Sequence, residues 1–222
     1  VGGWQKLWQN PAIAKLWQEF PPLSEVVAMA DLLAAEGRRR VLDIGCGLGR
    51  HTVYLSGRGC EVTATDNAPA AISACRQNLE QAGLRANVLA LDMRELPFPD
   101  GHFDGVVSTQ VIHHCDRATL GRIIGLIAQK LSSGGVFMWA THSPRHRDCG
   151  KGREIEPGTW VNEDHREGPV PHHYCTEEEI RELLCAFDIE SMSEREFHEK
   201  PDGIRHWNVL ARKGGPFAGS PY

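Results

Sequence analysis

The sequence lacks the features that would place it outside the ordinary globular proteins. No run approaches the roughly 20 consecutive apolar residues of a membrane span, so no membrane partner is expected. The opening Val1-Gly2-Gly3-Trp4 has no charged segment followed by an apolar one, so no secretory signal is expected. The seven cysteines, at 46, 60, 75, 115, 149, 175 and 185, are odd in number and include no CxxC pair. That pattern argues against a disulfide framework and fits a reduced, cytoplasmic protein. Excess positive charge is also missing. The net charge of -5 argues against a duplex nucleic-acid partner, which draws a basic face. Two local basic groups stand out. Arg38-Arg39-Arg40 is read as a solvated turn before a strand. Arg145, His146, Arg147, Lys151 and Arg153 are read as a solvated loop or a contact for an anionic substrate.

What is present suits one domain. The 222 residues are 41% hydrophobic and 24% charged, enough for a core that needs neither disulfide nor metal. Apolar strands alternate with amphipathic helices, which predicts an α/β fold with a parallel sheet covered on both faces. Trp4, Leu7, Trp8, Ile13, Leu16, Trp17 and Phe20 recur at roughly helical spacing, interrupted at Pro11 and stopped by Pro21-Pro22. Ser24 is expected to cap a helix over 25–36. Strands are expected at 40–44, 61–65, 86–91, 103–109 and 136–140, with helices at 50–58, 69–82 and 117–131. The rhythm breaks over 143–175, which is rich in Pro and Gly and too long for a simple connector, so it is expected to be functional or mobile. Thr176 then caps a helix to about 187, strands near 189–197 and 206–212 follow, and 214–222 reads as a frayed tail.

The first chemical signal is the turn between the first strand and its helix, Val41-Leu-Asp-Ile-Gly-Cys-Gly-Leu-Gly49. Gly45, Gly47 and Gly49 let backbone approach a ligand closely, and the following helix N-terminus offers unpaired amide donors. A dinucleotide fingerprint is G-x-G-x-x-G. Here Arg50 stands three residues past Gly47, and Asp43 would repel a pyrophosphate. The same carboxylate would attract an ammonium, which favours an amino-acid-bearing cofactor over NAD. Asp66, closing the second strand, is placed to accept from ribose hydroxyls. Asp92 and Met93 follow the third strand, where they would meet an adenine. Glycines and acids together sit at the carboxyl ends of consecutive parallel strands, the edge where open α/β sheets bind ligands.

These residues resemble the class I S-adenosylmethionine-dependent methyltransferases. Val41–Gly49 is similar to that family's first motif and Asp66 to the acid of its second. Asp92-Met93 with Leu96-Pro-Phe-Pro-Asp-Gly-His-Phe-Asp104 resembles its third. Leu131-Ser-Ser-Gly-Gly135 resembles its "LxPGG" turn, with Ser133 where proline is usual. The likeness is strong over 38–142 and looser to 213. It implies a Rossmann-like, mostly parallel seven-stranded sheet with helices on both faces and an antiparallel strand near the C-terminus. It also implies S-adenosylmethionine as cofactor. Asp43, Gly45 and Gly47 would hold the methionine end, with Gly49 completing the turn. Asp66 and Asn67 would hold the ribose, Asp92 and Met93 the adenine, and Gln110 would approach the transfer site.

The flanks are closer to the small-molecule branch, similar to the type 11 and tellurite-resistance methyltransferases. That implies a single methyltransferase domain over 1–222: a helical lid (1–37), a cofactor core (38–142), a substrate-side insertion (143–175), a C-terminal helix and strands (176–213), and a tail (214–222). Trp4, Trp8 and Trp17 would line the lid, where an aromatic wall suits a sulfonium.

The expected reaction is in-line methyl transfer to a small-molecule acceptor, in which the protein aligns donor and acceptor. Candidate bases are His113, His114 and His173, because histidine titrates near neutrality. Trp8, His142, His172 and Tyr174 are candidate acceptor contacts. The histidines with Cys115, Cys149 and Cys175 match no standard zinc spacing, and no metal is assigned. Competing readings are a protein or RNA methyltransferase, a non-catalytic cofactor-binding sensor or scaffold, and a nicotinamide dehydrogenase. A monomer or homodimer is expected.

Overall fold

A computed structural model describes residues 2–10, 20–196 and 203–214. Elements run α1 (Gly2–Trp8), α2 (Ser24–Ala35), β1 (Arg40–Ile44), α3 (Arg50–Gly57), β2 (Glu61–Asp66), α4 (Pro69–Gln81), β3 (Asn87–Ala90), β4 (Phe103–Thr109), α5 (Arg117–Lys130) and β5 (Leu131–His142). They continue with β6 (Arg153–Glu156), β7 (Thr159–Val161), β8 (Pro171–His173), α6 (Glu177–Leu183), β9 (Phe187–Glu196) and β10 (Arg205–Lys213). The main sheet has seven strands in the order β3-β2-β1-β4-β5-β10-β9. All run parallel except β10, which pairs antiparallel with both β5 and β9. The expected Rossmann-like sheet is therefore present, with its reversed strand next to the C-terminal edge.

Both faces are covered, and β1 and β4 are accordingly buried along nearly their whole length. Alternation along β5 sends Phe137 and Trp139 to one face and Met138 and Ala140 to the other. On the first face they pack with Leu120, Ile123, Ile124 and Ile127 of α5. On the second they pack with Val26, Met29, Ala30 and Leu33 of α2.

Local signals account for most element ends, with corrections. Asp116 caps α5 by accepting from the Thr119 amide at 2.7 Å. Thr176 and Glu179 form a reciprocal capping box on α6. Ser24 does not cap α2: it is the first helical residue, and its hydroxyl donates to Glu25 at 2.9 Å. The Arg38–Arg40 run is not simply solvated, because Asp104 accepts from the Arg39 and Arg40 amides and from the Arg40 guanidinium. β5 starts at Leu131, so the Ser-Ser-Gly-Gly turn belongs to the strand. The segment 143–175 is not an open loop. It folds a second, antiparallel sheet in the order β6-β7-β8, with Tyr174 N–H donating to the Gly158 carbonyl at 2.9 Å and Cys175 N–H to that of His142 at 3.0 Å. Trp17, Phe197 and most of the expected tail lie outside the described residues.

Candidate active site

The carboxyl ends of β1, β2, β3 and β4 open onto a cavity of about 510 Å³. This is within the roughly 300–1,000 Å³ range of small-ligand sites. At one end lies the glycine turn. Gly45 and Gly47 both have positive φ, +69° and +52°, a region that L side chains rarely adopt. A Cβ on Gly45 would overlap the Val111 methyls, and one on Gly47 would press on the Trp8 ring at 3.3 Å. The turn is therefore a cradle that only glycine leaves open. Gly49 has φ +85° but sits behind it, where a Cβ would meet Cys75 Sγ at 2.7 Å. It shapes the turn and does not line the cavity.

Asp43 also lies beneath the wall and not in it. Its carboxylate is buried and accepts from Thr52 Oγ1 at 2.6 Å. Burial, against the opposing Thr52 bond, raises its pKa to about 6. It braces the turn on α3 and does not line the cavity. Arg50, which sequence reasoning used only to argue against a dinucleotide, does line the cavity. Burial lowers its pKa to about 10, which leaves it cationic at neutral pH.

Asp66 closes β2 and lines the wall. One oxygen accepts from the Gly47 amide at 3.0 Å, the other from the Ala68 amide at 2.9 Å. It thereby ties the glycine turn to the second strand, while burial raises its pKa despite those amides. Asn67 is exposed at the rim beside it. Asp92 also lines the cavity, gripped by the Arg94 guanidinium at 2.8 and 2.6 Å, which holds its carboxyl below the usual range. Met93 lines the wall and packs on the core under β4. Gln110, just past β4, is the one non-glycine described with positive φ (60°), and its amide donates to the Ala140 carbonyl at 2.9 Å.

The other end is built of histidine. Seven of the eleven histidines form one connected group: 113, 114, 142, 146, 165, 172 and 206. His113 stands at the centre, its ring centroid 4.2 Å from His114 and 3.9 Å from His142. His142 stacks on His146 at 4.2 Å and lies opposite His206 in the β5–β10 pairing. His172 joins through His114 at 4.8 Å and His165 at 4.5 Å. His113 is fully buried, and among the described residues neither of its ring nitrogens has a hydrogen-bond partner. Burial first, then neighbouring histidines, push it well below the usual imidazole range. Burial likewise takes His146 down to about 4. His113 and His146 are therefore neutral at physiological pH.

Three of the expected acceptor-side residues lie elsewhere. His172 and His173 are adjacent on β8, so their side chains leave opposite faces. His172 turns toward Glu167. His173 turns away from the cavity, where Thr159 Oγ1 lies 2.7 Å from its Nδ1 and Glu179 3.5 Å from its Nε2. It is not placed as a base for anything in the cavity. Tyr174 is buried behind the wall, its ring 5.4 Å from that of His142. Trp8 and His142 do line the cavity, as do His146, Arg147 and Lys151 of the basic group, and also His165, Glu167 and His206, which sequence reasoning did not single out as site residues. For the histidines, the one advance signal was their number in and beside 143–175.

The N-terminal helix covers the cavity and joins its two ends. Gln5 accepts from the Ala70 amide of α4 at 3.0 Å. Trp4 meets His114 edge-on at 4.6 Å. Gly3 lies so close to the Glu167 carbonyl that a Cβ would overlap it.

A family model for the methyltransferase domain matches residues 41–135, the span that holds the glycine turn, Asp66 and Asp92. The chain carries a class I S-adenosylmethionine-dependent methyltransferase domain. A demethylmenaquinone methyltransferase of Thermus thermophilus is 34% identical to it over 107 residues, 47% of this chain and 48% of that protein. The chain spans about half the length of the curated relatives it matches. Among solved structures, the domain is similar to the 1,6-didemethyltoxoflavin-N1-methyltransferase of Burkholderia thailandensis, solved with 1,6-didemethyltoxoflavin and S-adenosylhomocysteine. The TM-score is 0.66 at 26% identity, covering 90% of this chain and 81% of that one. The N-methyltransferase NodS of Bradyrhizobium japonicum shares the fold, with a TM-score of 0.70 at 18% identity, covering 96% and 97%. No helix among the described residues is long and apolar enough to cross a membrane.

Proposed function

We propose that the chain transfers a methyl group from S-adenosylmethionine to a small-molecule acceptor held at the histidine end. The observation that carries this reading is the continuity of the cavity from the glycine turn, past Asp66 and Asp92, to His113 and His142 under α1. It is one continuous cavity with room for two small ligands end to end. The relatives acting on menaquinone and toxoflavin precursors support the same class of acceptor.

The residues present fit the cofactor. The cradle at Gly45 and Gly47 takes backbone-close contact, and Arg50 with the α3 N-terminus suits a carboxylate. Asp66 and Asn67 would take the ribose hydroxyls, and Asp92 and Met93 the adenine. Val111 and Gln110 stand between this half and the histidines. When bound, the cofactor supplies an activated methyl on a sulfonium. The domain supplies alignment and exclusion of water: Trp4 and Trp8 close the slot from above. His113 is the group we assign to accept a proton from the acceptor, since it is neutral, buried and not committed to another hydrogen bond.

Calorimetric titration with S-adenosylmethionine, S-adenosylhomocysteine and NAD tests the cofactor reading. NAD binding without binding of either sulfur cofactor would refute it. A screen with labelled methyl donor against thiols, amines, phenols and carboxylates tests the acceptor. Label appearing only in added protein or RNA would overturn the small-molecule assignment. Cofactor binding with no transfer to any class would leave the sensor reading in its place.

A further inference from the structure

We propose that His114, His172 and Glu167 form a binding site for a divalent transition-metal ion beside the histidine end of the cavity. The argument starts from where the protons are. His114 Nδ1 lies 2.6 Å from the Val111 carbonyl oxygen, and His172 Nδ1 lies 3.0 Å from that of Val170. A carbonyl only accepts, so each Nδ1 carries the hydrogen. Each Nε2 of the neutral ring is then a bare lone pair. Both point at the same atom, Glu167 Oε2, at 3.2 and 2.8 Å. Three acceptors thus converge in a place with almost no solvent: His172 and Glu167 are buried, and His114 nearly so.

Such a convergence requires positive charge between the atoms. Protons supply it poorly. Two contacts need two protons, which would set two like-charged imidazolium rings 4.8 Å apart, whereas a divalent ion gives the trio the same net charge without that repulsion. One divalent ion satisfies all three donors at once. With metal–ligand bonds of about 2.0–2.2 Å, neighbouring ligands stand about 2.8–3.6 Å apart in octahedral or tetrahedral coordination. The observed 3.2 and 2.8 Å between the two ring nitrogens and Glu167 Oε2 fall in that range, and all three donor atoms lie within 4.8 Å of one another.

The surrounding contacts are those of a built site. Metal-binding histidines characteristically donate their second nitrogen to a carbonyl or carboxylate, which fixes the ring. Both rings do so here. Glu167 is fixed in turn by its own amide, which donates to His165 Nδ1 at 3.3 Å. Two histidines and one carboxylate with free positions suit Zn²⁺ or Fe²⁺. His114 and Glu167 line the cavity, so the open positions face the acceptor, where the ion would take one of its oxygen, nitrogen or sulfur donors. The site does not depend on methyl transfer being the reaction.

A second trio, His142, His146 and His206, also brings three donors within 4.8 Å. It is the weaker candidate. It holds no anion, and the Asp148 amide donates to His146 Nδ1 at 3.1 Å. That places the ring proton on Nε2, the nitrogen a metal would need.

The test uses the untagged chain after treatment with a chelator. Titration with Co²⁺, followed by visible absorption, and with Zn²⁺ against a chromophoric chelator should give one ion per chain. Glu167→Gln and His172→Gln should each weaken Zn²⁺ binding by about 100-fold or more, with far-UV circular dichroism unchanged. Glu167→Asp, which keeps the carboxylate, should retain the cobalt bands. His146→Gln should leave affinity unchanged. Cobalt that stays spectroscopically free in the unmodified chain would overturn the proposal without reliance on any variant. Loss of binding in His146→Gln but not in Glu167→Gln would also overturn it, by assigning the ion to the other trio.

Discussion

The two ends of the cavity are built on opposite principles. The cofactor end comes from one contiguous stretch of chain and is held by short-range ties: Asp66 to Gly47 and Ala68, Asp43 to Thr52, Asp92 to Arg94. Its polar groups are ionisable acids with committed partners. The histidine end is gathered from β5, β10, the turn after β4 and the insertion, across nearly a hundred residues. Its groups are mostly imidazoles, and the central one, His113, has no described hydrogen-bond partner. The first end is arranged to hold one ligand tightly. The second carries unpaired polarity in a buried place, which costs stability and is kept where function needs it.

The largest test of this contrast is Gly45→Ala at the cofactor end. Left-handed backbone costs about 1–2 kcal/mol and overpacking against Val111 about 1–3 kcal/mol more, so a loss of about 2–5 kcal/mol is expected in urea unfolding. A near-neutral effect would mean that the turn is looser than its φ of +69° indicates.

The two ends should also answer acid with opposite signs. Asp43, with a folded pKa of about 6 against 3.8, binds its proton more readily when folded. It adds stability as pH falls from 6 toward 4, by about 3 kcal/mol at most. His146, at about 4 against 6.5, and His142, also depressed by burial, resist protonation when folded. They remove stability as pH falls below 6.5. With more histidines than raised carboxylates involved, net stability should fall between pH 6.5 and 4. Asp43→Asn should steepen that fall, because it deletes the opposing contribution. A shallower curve in Asp43→Asn would reverse the assignment of sign.

Smaller effects separate binding from bracing. Asp66→Ala should weaken S-adenosylmethionine binding by about 1–3 kcal/mol in calorimetry, and Asp43→Asn by less, since Asp43 lies outside the cavity wall. Equal losses would erase that distinction. Smallest is the expected gain from His113→Phe. An apolar ring in place of an unpaired buried imidazole should stabilise the fold by about 1–2 kcal/mol while lowering methyl transfer at saturating cofactor. Unchanged turnover would remove His113 from the chemistry.

How much of this was legible in the sequence follows the same division. The glycine turn, Asp66, Asp92 and Met93 were readable because strand periodicity puts strand ends at one edge, and each residue acts near its own strand. Even there, periodicity could not tell that Asp43 and Gly49 face inward to Thr52 and Cys75. At the other end, His173 was read as a candidate base and its neighbour His172 as an acceptor contact. Their separation required knowing that Pro171–His173 is a strand, inside a segment whose prolines and glycines read as loop. Glu167, in an irregular stretch without period, carried no signal at all. Its role follows only from the approach of His114, 53 residues away in sequence.

Gly3 against the Glu167 carbonyl, with Gln5 on the Ala70 amide, pins a seven-residue helix to both ends of the slot at once. A helix that short has little cohesion of its own, so it is released by local opening at a small fraction of the global unfolding free energy. Ligands can therefore exchange while the sheet stays intact. Because the same helix touches both halves, lifting it to admit one ligand also uncovers the other. Filling the slot and sealing it become a single thermodynamic event, and each ligand should raise the other's residence time without touching it.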